Sequence, residues 1–239
     1  MRLEARGVAY QYGNGSPRIL EDFDFEMEHT ERVGIMAPSG YGKTTLCKLL
    51  SGYLKPEIGQ VLLYGRPLSQ ENGYCPVQMI WQQPEMAVNP RMRMRDVILE
   101  GDQVEERVWR ELGIEEDWMN RFPTELSGGE LQRFCIARAL GKRTRFLLAD
   151  EISTMLDLIT QSQIWDFLVK EVGRRQIGLI VVSHNRPLLD HVCTRIANLS
   201  KTAYNKYVGT IFCPYLLILL YTYRHRKRKS GLGGIMWTG

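Results

Sequence analysis

Gly34-Ile-Met-Ala-Pro-Ser-Gly-Tyr-Gly-Lys-Thr-Thr45 is the stretch whose reading decides the fold of this chain. Val33, Ile35 and Met36 make the residues leading into it a short buried strand, and Leu46, Leu49 and Leu50 then recur at helical spacing. The chain has to turn sharply in between. Gly40 and Gly42 are free to take backbone angles that a side chain forbids. A turn of this kind aims successive backbone N–H groups inward, and the following helix adds the positive end of its dipole, so the segment reads as a phosphate cradle. Lys43 would reach the outer phosphates of a nucleotide, and the Thr44 hydroxyl is placed to ligate magnesium. The match to G-x-x-x-x-G-K-[ST] is imperfect, because Ala37 stands at the first glycine. An ordinary strand-to-helix turn can carry the same Gly-Lys-Thr triplet, so the rest of the chain has to decide.

Working outward, 239 residues with 44% hydrophobic content suffice for one large domain, or a core with a subdomain. The net charge of +4 is misleading. Seven Lys or Arg and no acid follow Ser200, which leaves 24 basic against 27 acidic residues before it. A body near −3 does not have the footprint of a nucleic-acid surface. Cys47, Cys75, Cys135, Cys193 and Cys213 are scattered, without metal-ligand or C-x-x-C spacing, and read as reduced thiols of a cytosolic protein. The N-terminus is charged from its first residues, so no signal peptide is expected.

Before the cradle, Val8–Tyr12 and Ile19–Met27 alternate like strands of an antiparallel edge sheet, with Tyr12 at the end of the first. An aromatic ring there is suited to stacking on a purine base, and equally to a plain strand position. After it, Gln60–Tyr64 and Val77–Trp81 are short strands, the second ending at Gln82-Gln83-Pro84. A glutamine at a strand tip can be only a turn residue, or can reach a bound metal or its water. Arg91–Leu112 and Glu115–Phe122 look like a charged helical insertion closed by Pro123. In Leu126-Ser-Gly-Gly-Glu130, Ser127 and Glu130 stand at capping-box spacing ahead of Phe134, Ile136, Ala137 and Leu140. Two glycines in a first helical turn cost about 1 kcal/mol each in propensity, so close approach of another group, such as an anion, explains Gly128 and Gly129 better than capping alone.

Phe146–Asp150 is a fully buried strand that ends in Asp150 and Glu151, and Gly178–Ser183 is another that ends at His184. In an open α/β sheet ligands gather at the carboxyl ends of strands, where the cradle and these residues converge. Asp150 would hold magnesium through water, Glu151 would polarise an attacking water, and His184 would touch the γ-phosphate.

Taken in order, these features resemble the ATP-binding subunit of an ABC transporter over roughly residues 3 to 197. The cradle, Ala37-Pro38-Ser39-Gly40-Tyr41-Gly42-Lys43-Thr44-Thr45, matches that family's first nucleotide motif. Gln82 matches its Q-loop, Leu126-Ser127-Gly128-Gly129-Glu130 its signature, Phe146–Glu151 its second nucleotide strand and catalytic base, Thr154-Met-Leu-Asp157 its D-loop, and His184 its switch histidine. Tyr12 falls at the family's adenine-stacking aromatic. The resemblance implies an α/β P-loop NTPase of the ABC ATPase type, with an N-terminal antiparallel β subdomain and a helical subdomain. Residues 1–84 and 136–200 would form the nucleotide-binding core, 85–135 the helical subdomain, and 201–239 an atypical tail. It implies ATP and Mg2+ as cofactors, with Thr44, Gln82 and Asp150 at the metal and Glu151, Gln82 and His184 in the chemistry. It also implies a second ABC ATPase subunit, identical or related, whose Ser127–Glu130 completes the site, with Asp157 among the nucleotide-binding residues and its D-loop coupling the two sites. Further implied partners are transmembrane permease subunits at the cytoplasmic face of the membrane, with an extracytoplasmic solute-binding protein if the system is an importer, and no nucleic acid. Trp81-Gln-Gln-Pro84 and Val88–Met92 are similar to subunits that power peptide and nickel importers.

The departures are Ala37, which a negative φ would accommodate, and Ile152 and Met155 in place of the usual proline and alanine. The tail departs most: Tyr207–Tyr223 is apolar and Arg224–Lys229 basic. It is short of the about 20 residues of a membrane span and is interrupted by Pro214, so a membrane-surface segment or a shifted reading frame are the alternatives. Two other functions compete with the transporter reading. One is a non-transport ABC-type ATPase acting on nucleic acid or ribosomes, although the spacing from Thr45 to Ser127 has no room for a long coiled coil. The other is a decayed regulatory subunit.

Overall fold

The computed structural model describes residues 1–199 apart from Asn14, Ser39 and Met155, and not the side chain of Asn198. Every expectation for the tail, and the assignment of Ser39 to the cradle, therefore lies outside the described residues. In chain order the elements are β1 (Arg2–Tyr10), β2 (Leu20–Glu28), β3 (Arg32–Met36), α1 (Lys43–Leu50), β4 (Ile58–Leu63), β5 (Arg66–Pro67), β6 (Val77–Ile80), α2 (Met94–Leu99), α3 (Glu106–Glu111), α4 (Gly128–Ala139), β7 (Phe146–Asp150), α5 (Leu158–Arg175), β8 (Gly178–Val182), α6 (Arg186–Val192) and β9 (Arg195–Asn198).

Two sheets divide the strands. One is antiparallel in the order β2-β1-β4-β5, and the other is parallel in the order β6-β7-β8-β3-β9. The central strands β7 and β8 are buried at every position because both faces of the sheet are covered. On β7, Phe146 and Leu148 join the core shared with the antiparallel sheet, and Leu147 and Ala149 join the core beneath α4 and α5. Gly178 is required by this packing, since a Cβ there would lie 2.5 Å from the Phe146 ring.

β1 begins earlier than its alternation suggests and stops two residues short of Tyr12. The register shifts between Ala5 and Val8, where Gly7 takes φ +55° and its N–H donates to Asp24 Oδ1 at 2.7 Å. That bulge breaks the period of two and hides the first half of the strand. At the other end, Ile19 N–H donates to Tyr10 O at 2.9 Å and closes the loop, so Tyr12 lies in the loop and not in the strand.

The insertion after β6 is helical but not continuous. α2 and α3 are separated by a segment docked on the turn before β7: Asp102 accepts from Arg143 N–H at 2.8 Å, and Lys142 N–H donates to Gln103 O at 3.0 Å. Two 3-10 turns follow, Glu116–Asn120 and Pro123–Glu125.

Candidate active site

Register places the chemistry. Ile35 on β3, Val182 on β8 and Asp150 on β7 are aligned across neighbouring strands, so the residues that follow each of them emerge at one edge of the sheet. From β3 the chain passes through Ala37 and Pro38 to Gly40 and Gly42, both left-handed at φ +84° and +77°. A Cβ on Gly42 would come 2.4 Å from Ile19 Cγ2, which fixes glycine there on two counts. Ala37 is buried and is not among the residues with positive φ, so its methyl group is accommodated as a negative φ allows. α1 starts directly after Gly42, with no side-chain cap and no acid in its first turn. Its first amides are thereby available to an anion.

Lys43 is buried and folds back over the loop, its Nζ donating to Ala37 O at 2.8 Å and Pro38 O at 3.0 Å. Thr44, in the first turn of α1, acts on the Asp150 carboxyl and favours its charged form. Thr45 shares a 3.1 Å hydrogen bond with the Tyr12 hydroxyl, which sets the Tyr12 ring beside the start of α1 and edge-on to Tyr10. Tyr41 is exposed.

Asp150 is only 2% exposed. Burial pushes its carboxyl above the usual carboxylate range, the Glu151 charge adds to this, and Thr44 together with the charges of Lys43 and Lys48 opposes it without cancelling it. Glu151 is the hub of the cluster. Its carboxylate lies 3.8 Å from Lys43 Nζ, 3.7 Å from His184 Nδ1 and 3.5 Å from Gln82 Nε2. Its backbone is left-handed, φ +50°, a conformation that costs a non-glycine residue of the order of 1 kcal/mol. Bonds on both sides hold it: Glu151 N–H donates to Val182 O at 3.0 Å, and Thr154 Oγ1 donates to Glu151 O at 3.1 Å.

The remaining candidates stand apart from this cluster. Ser127 and Glu130 form the reciprocal cap expected of them, with Glu130 N–H donating to Ser127 Oγ at 3.3 Å and Ser127 N–H to Glu130 Oε2 at 2.7 Å. A Cβ on Gly128 would meet nothing within 4 Å, and one on Gly129 only Leu156 at 3.4 Å. Among the described residues, the space a Gly128 side chain would enter is therefore open. Asp157 caps α5, accepting from Ile159 N–H and Thr160 N–H at 3.0 Å each. Hydrogen bonds from Thr160 and Ile159 hold its carboxyl below the usual range. No hydrogen bond or ion pair between described residues joins Ser127–Glu130 or Asp157 to Lys43, Asp150, Glu151 or His184.

Two side-chain roles escaped the sequence reading, that of Thr154, read only as part of the D-loop, and that of Gln132. Thr154 braces Glu151, and a hydroxyl three residues after a strand-end acid was the available signal. Gln132, 2% exposed on α4, donates to Trp81 O at 3.3 Å. Its signal was a polar residue on a helix face otherwise made of apolar side chains.

The arrangement offers a buried ammonium and bare amides for phosphate, a hydroxyl–carboxyl pair for a hydrated cation, and a carboxylate within reach of three donors for moving a proton. The family described as ABC transporter matches residues 20–154. Among similar proteins is a Brucella ovis protein named for peptide import, 29% identical over 214 residues, 81% of this chain and 68% of that one. Another is the oligopeptide transport ATP-binding protein OppF of Streptococcus mutans, 27% identical over 81% of this chain and 70% of that one. Among solved structures, the dimeric ATP-binding cassette MJ0796 bound to ADP and Pi superposes with a TM-score of 0.70 at 24% identity, over 82% of this chain and 93% of that one. The likeness to that structure establishes the shared fold.

Proposed function

This chain belongs to the ABC transporter family, and from that premise we propose that it is the ATP-binding and ATP-hydrolysing subunit of a peptide importer. The observation that carries the reading is the convergence of Lys43, Gln82 and His184 on the Glu151 carboxylate, at the sheet edge where the 37–45 loop also opens. Lys43 and the first amides of α1 would hold the phosphates, and Tyr12 would bear on the base. Glu151 would take the proton of the attacking water, with Gln82 and His184 orienting the groups around it. The peptide class rests on the names of the relatives, and none of the relatives named above supports the nickel alternative.

Magnesium fits the residues present. Asp150 is a buried acid whose burial disfavours its ionised form, and Thr44 acts on the same carboxyl. Among the described residues no cluster of three or more His, Cys, Asp or Glu could hold a metal alone, so a cation here would take its other ligands from phosphate and water. When bound, it would neutralise charge on the phosphates. Thr44 and Asp150 would fix its position, with Gln82 nearby.

The open face of Gly128 suits a second ATPase subunit laid against Ser127–Glu130. Permease subunits would dock near Gln82 and the α2–α3 insertion, and a solute-binding protein would deliver the cargo. The subunit would sit peripherally on the cytoplasmic face of the membrane; none of the described helices is long and apolar enough to cross one. The test is Glu151→Gln, which is expected to retain ATP-dependent dimerisation, seen by light scattering, and to abolish turnover. Undiminished hydrolysis would exclude Glu151 as the group that takes the proton. Nucleic acid co-purifying in place of an apolar permease would favour the non-transport reading.

A further inference from the structure

α4 carries three donors at intervals of about one turn, and all three serve one neighbouring stretch of backbone. Gln132 Nε2 donates to Trp81 O at 3.3 Å, Cys135 Sγ to Pro84 O at 3.7 Å, and Arg138 Nη2 to Ala87 O at 2.6 Å. Donors three residues apart on the helix meet acceptors three residues apart on the chain leaving β6. Gln132 and Cys135 are buried, and burial pushes the Cys135 thiol up to about 12, so it keeps the proton it donates. Arg138 is held from its other side by Glu100 at 3.5 Å. An amide buried in an apolar cluster costs stability unless it is bonded, whereas leucine would fill similar space without that demand. Packing alone therefore does not account for Gln132.

The position of this ladder gives it a consequence. Gln82 lies between its first two acceptors and reaches Glu151 Oε2, and the Ser127–Glu130 cap begins the helix that carries its donors. We propose that Gln132, Cys135 and Arg138 are positioning residues that lock residues 81–87 to α4, so that the Ser127–Glu130 turn and Gln82 move as one piece. The reach of Gln82 to Glu151 then follows the position of that turn. The kinetic part of this inference rests on the reading of Glu151 as the catalytic base, and the mechanical part does not.

Gln132→Leu tests both. Amide hydrogen exchange on the chain without nucleotide is expected to quicken about tenfold at residues 82–88 while the central strands keep their protection. ATP turnover with Mg2+ and the permease partner is expected to lose about fivefold in kcat, the worth of one buried hydrogen bond, with KM unchanged. Gln82→Ala/Gln132→Leu should be no slower than Gln82→Ala, because the ladder acts through Gln82. Unchanged exchange at 82–88, or losses that multiply in the double variant, would overturn the proposal. If Gln132→Leu does not fold, Arg138→Met opens the other end of the ladder and carries the same expectations. Should the wild-type chain fail to hydrolyse ATP, the reading of Glu151 falls, and the exchange measurement still decides the ladder.

Discussion

Asp150 shows at the scale of one residue how this site sets function against stability. Its folded-state carboxyl titrates above its unfolded value, because burial and the neighbouring Glu151 outweigh the help of Thr44, Lys43 and Lys48. The sign follows from linkage. A raised acid means that the native state binds more protons than the unfolded one, so stability declines as pH rises from the unfolded pKa to the folded one and stays reduced above it. Asp150→Asn keeps the shape and removes the charge. It is expected to melt higher than wild type at pH 7, with the advantage disappearing under acid conditions where both forms are neutral. The same variant should lose magnesium-dependent hydrolysis. Melting curves across pH decide the matter, and an Asp150→Asn protein less stable than wild type at neutral pH would show that the carboxylate stabilises the fold. Glu151, one position on, carries a different tension, since its left-handed backbone is held by Val182 O and the Thr154 hydroxyl.

Elements are joined by charge as well as by apolar packing, and the α3–α5 contact is the clearest case. Glu171 on α5 has a side chain only 2% exposed and receives Arg107 of α3 through both carboxylate oxygens, at 2.8 and 2.9 Å, with Arg174 at 3.0 and 3.1 Å. Burial alone would push its carboxyl up, but the bonds from Arg174 and Arg107 outweigh that and hold it below the usual range. The stability it contributes is therefore present above the ordinary carboxylate pKa and is lost as pH falls through the lowered one. Glu171→Ala should cost about 3 kcal/mol by denaturant unfolding, the low end for breaking a buried pair, because both arginines remain partly in water. A cost within error of zero would make the contact incidental. Such contacts also mark what could be read from the sequence. Strands β3, β7 and β8 were legible because burial on both faces leaves continuous apolar runs, and their ends placed Asp150, Glu151 and His184. The break between α2 and α3 was not legible, since Asp102 and Gln103 are held by residues 142 and 143, beyond any local period. Gln132 was hidden for the same reason: its partner is a backbone carbonyl, and carbonyls leave no trace in a sequence.

For the whole molecule, the residues that gather around Glu151 and those around Gly128 sit in one chain without touching. Next to Asp157, Leu158 and Ile159 are 83% and 73% exposed at the head of α5, an apolar pair with nothing of this chain over it among the described residues. Both observations are met if a second subunit supplies its Ser127–Glu130 turn to this chain's Lys43 and Glu151, and receives the same in return. Mixing tests that arrangement more sharply than a mass measurement does. Lys43→Ala removes the phosphate contact from one subunit, and Gly128→Glu blocks the open turn of the other with a charged side chain; each protein alone should be inactive. In a random mixture half the dimers contain one of each, and every mixed dimer holds one site in which both halves are intact. Hydrolysis should then return to about a quarter of wild type if the two sites act independently. Recovery requires that the partner be a second copy of this chain. A mixture as inactive as its components, formed from variants that still bind nucleotide, would mean that the complementary turn comes from a related but different subunit or that both sites must fire together. Adding the candidate partner chain to Gly128→Glu separates the two, because only a heteromeric pair would then regain hydrolysis at Lys43.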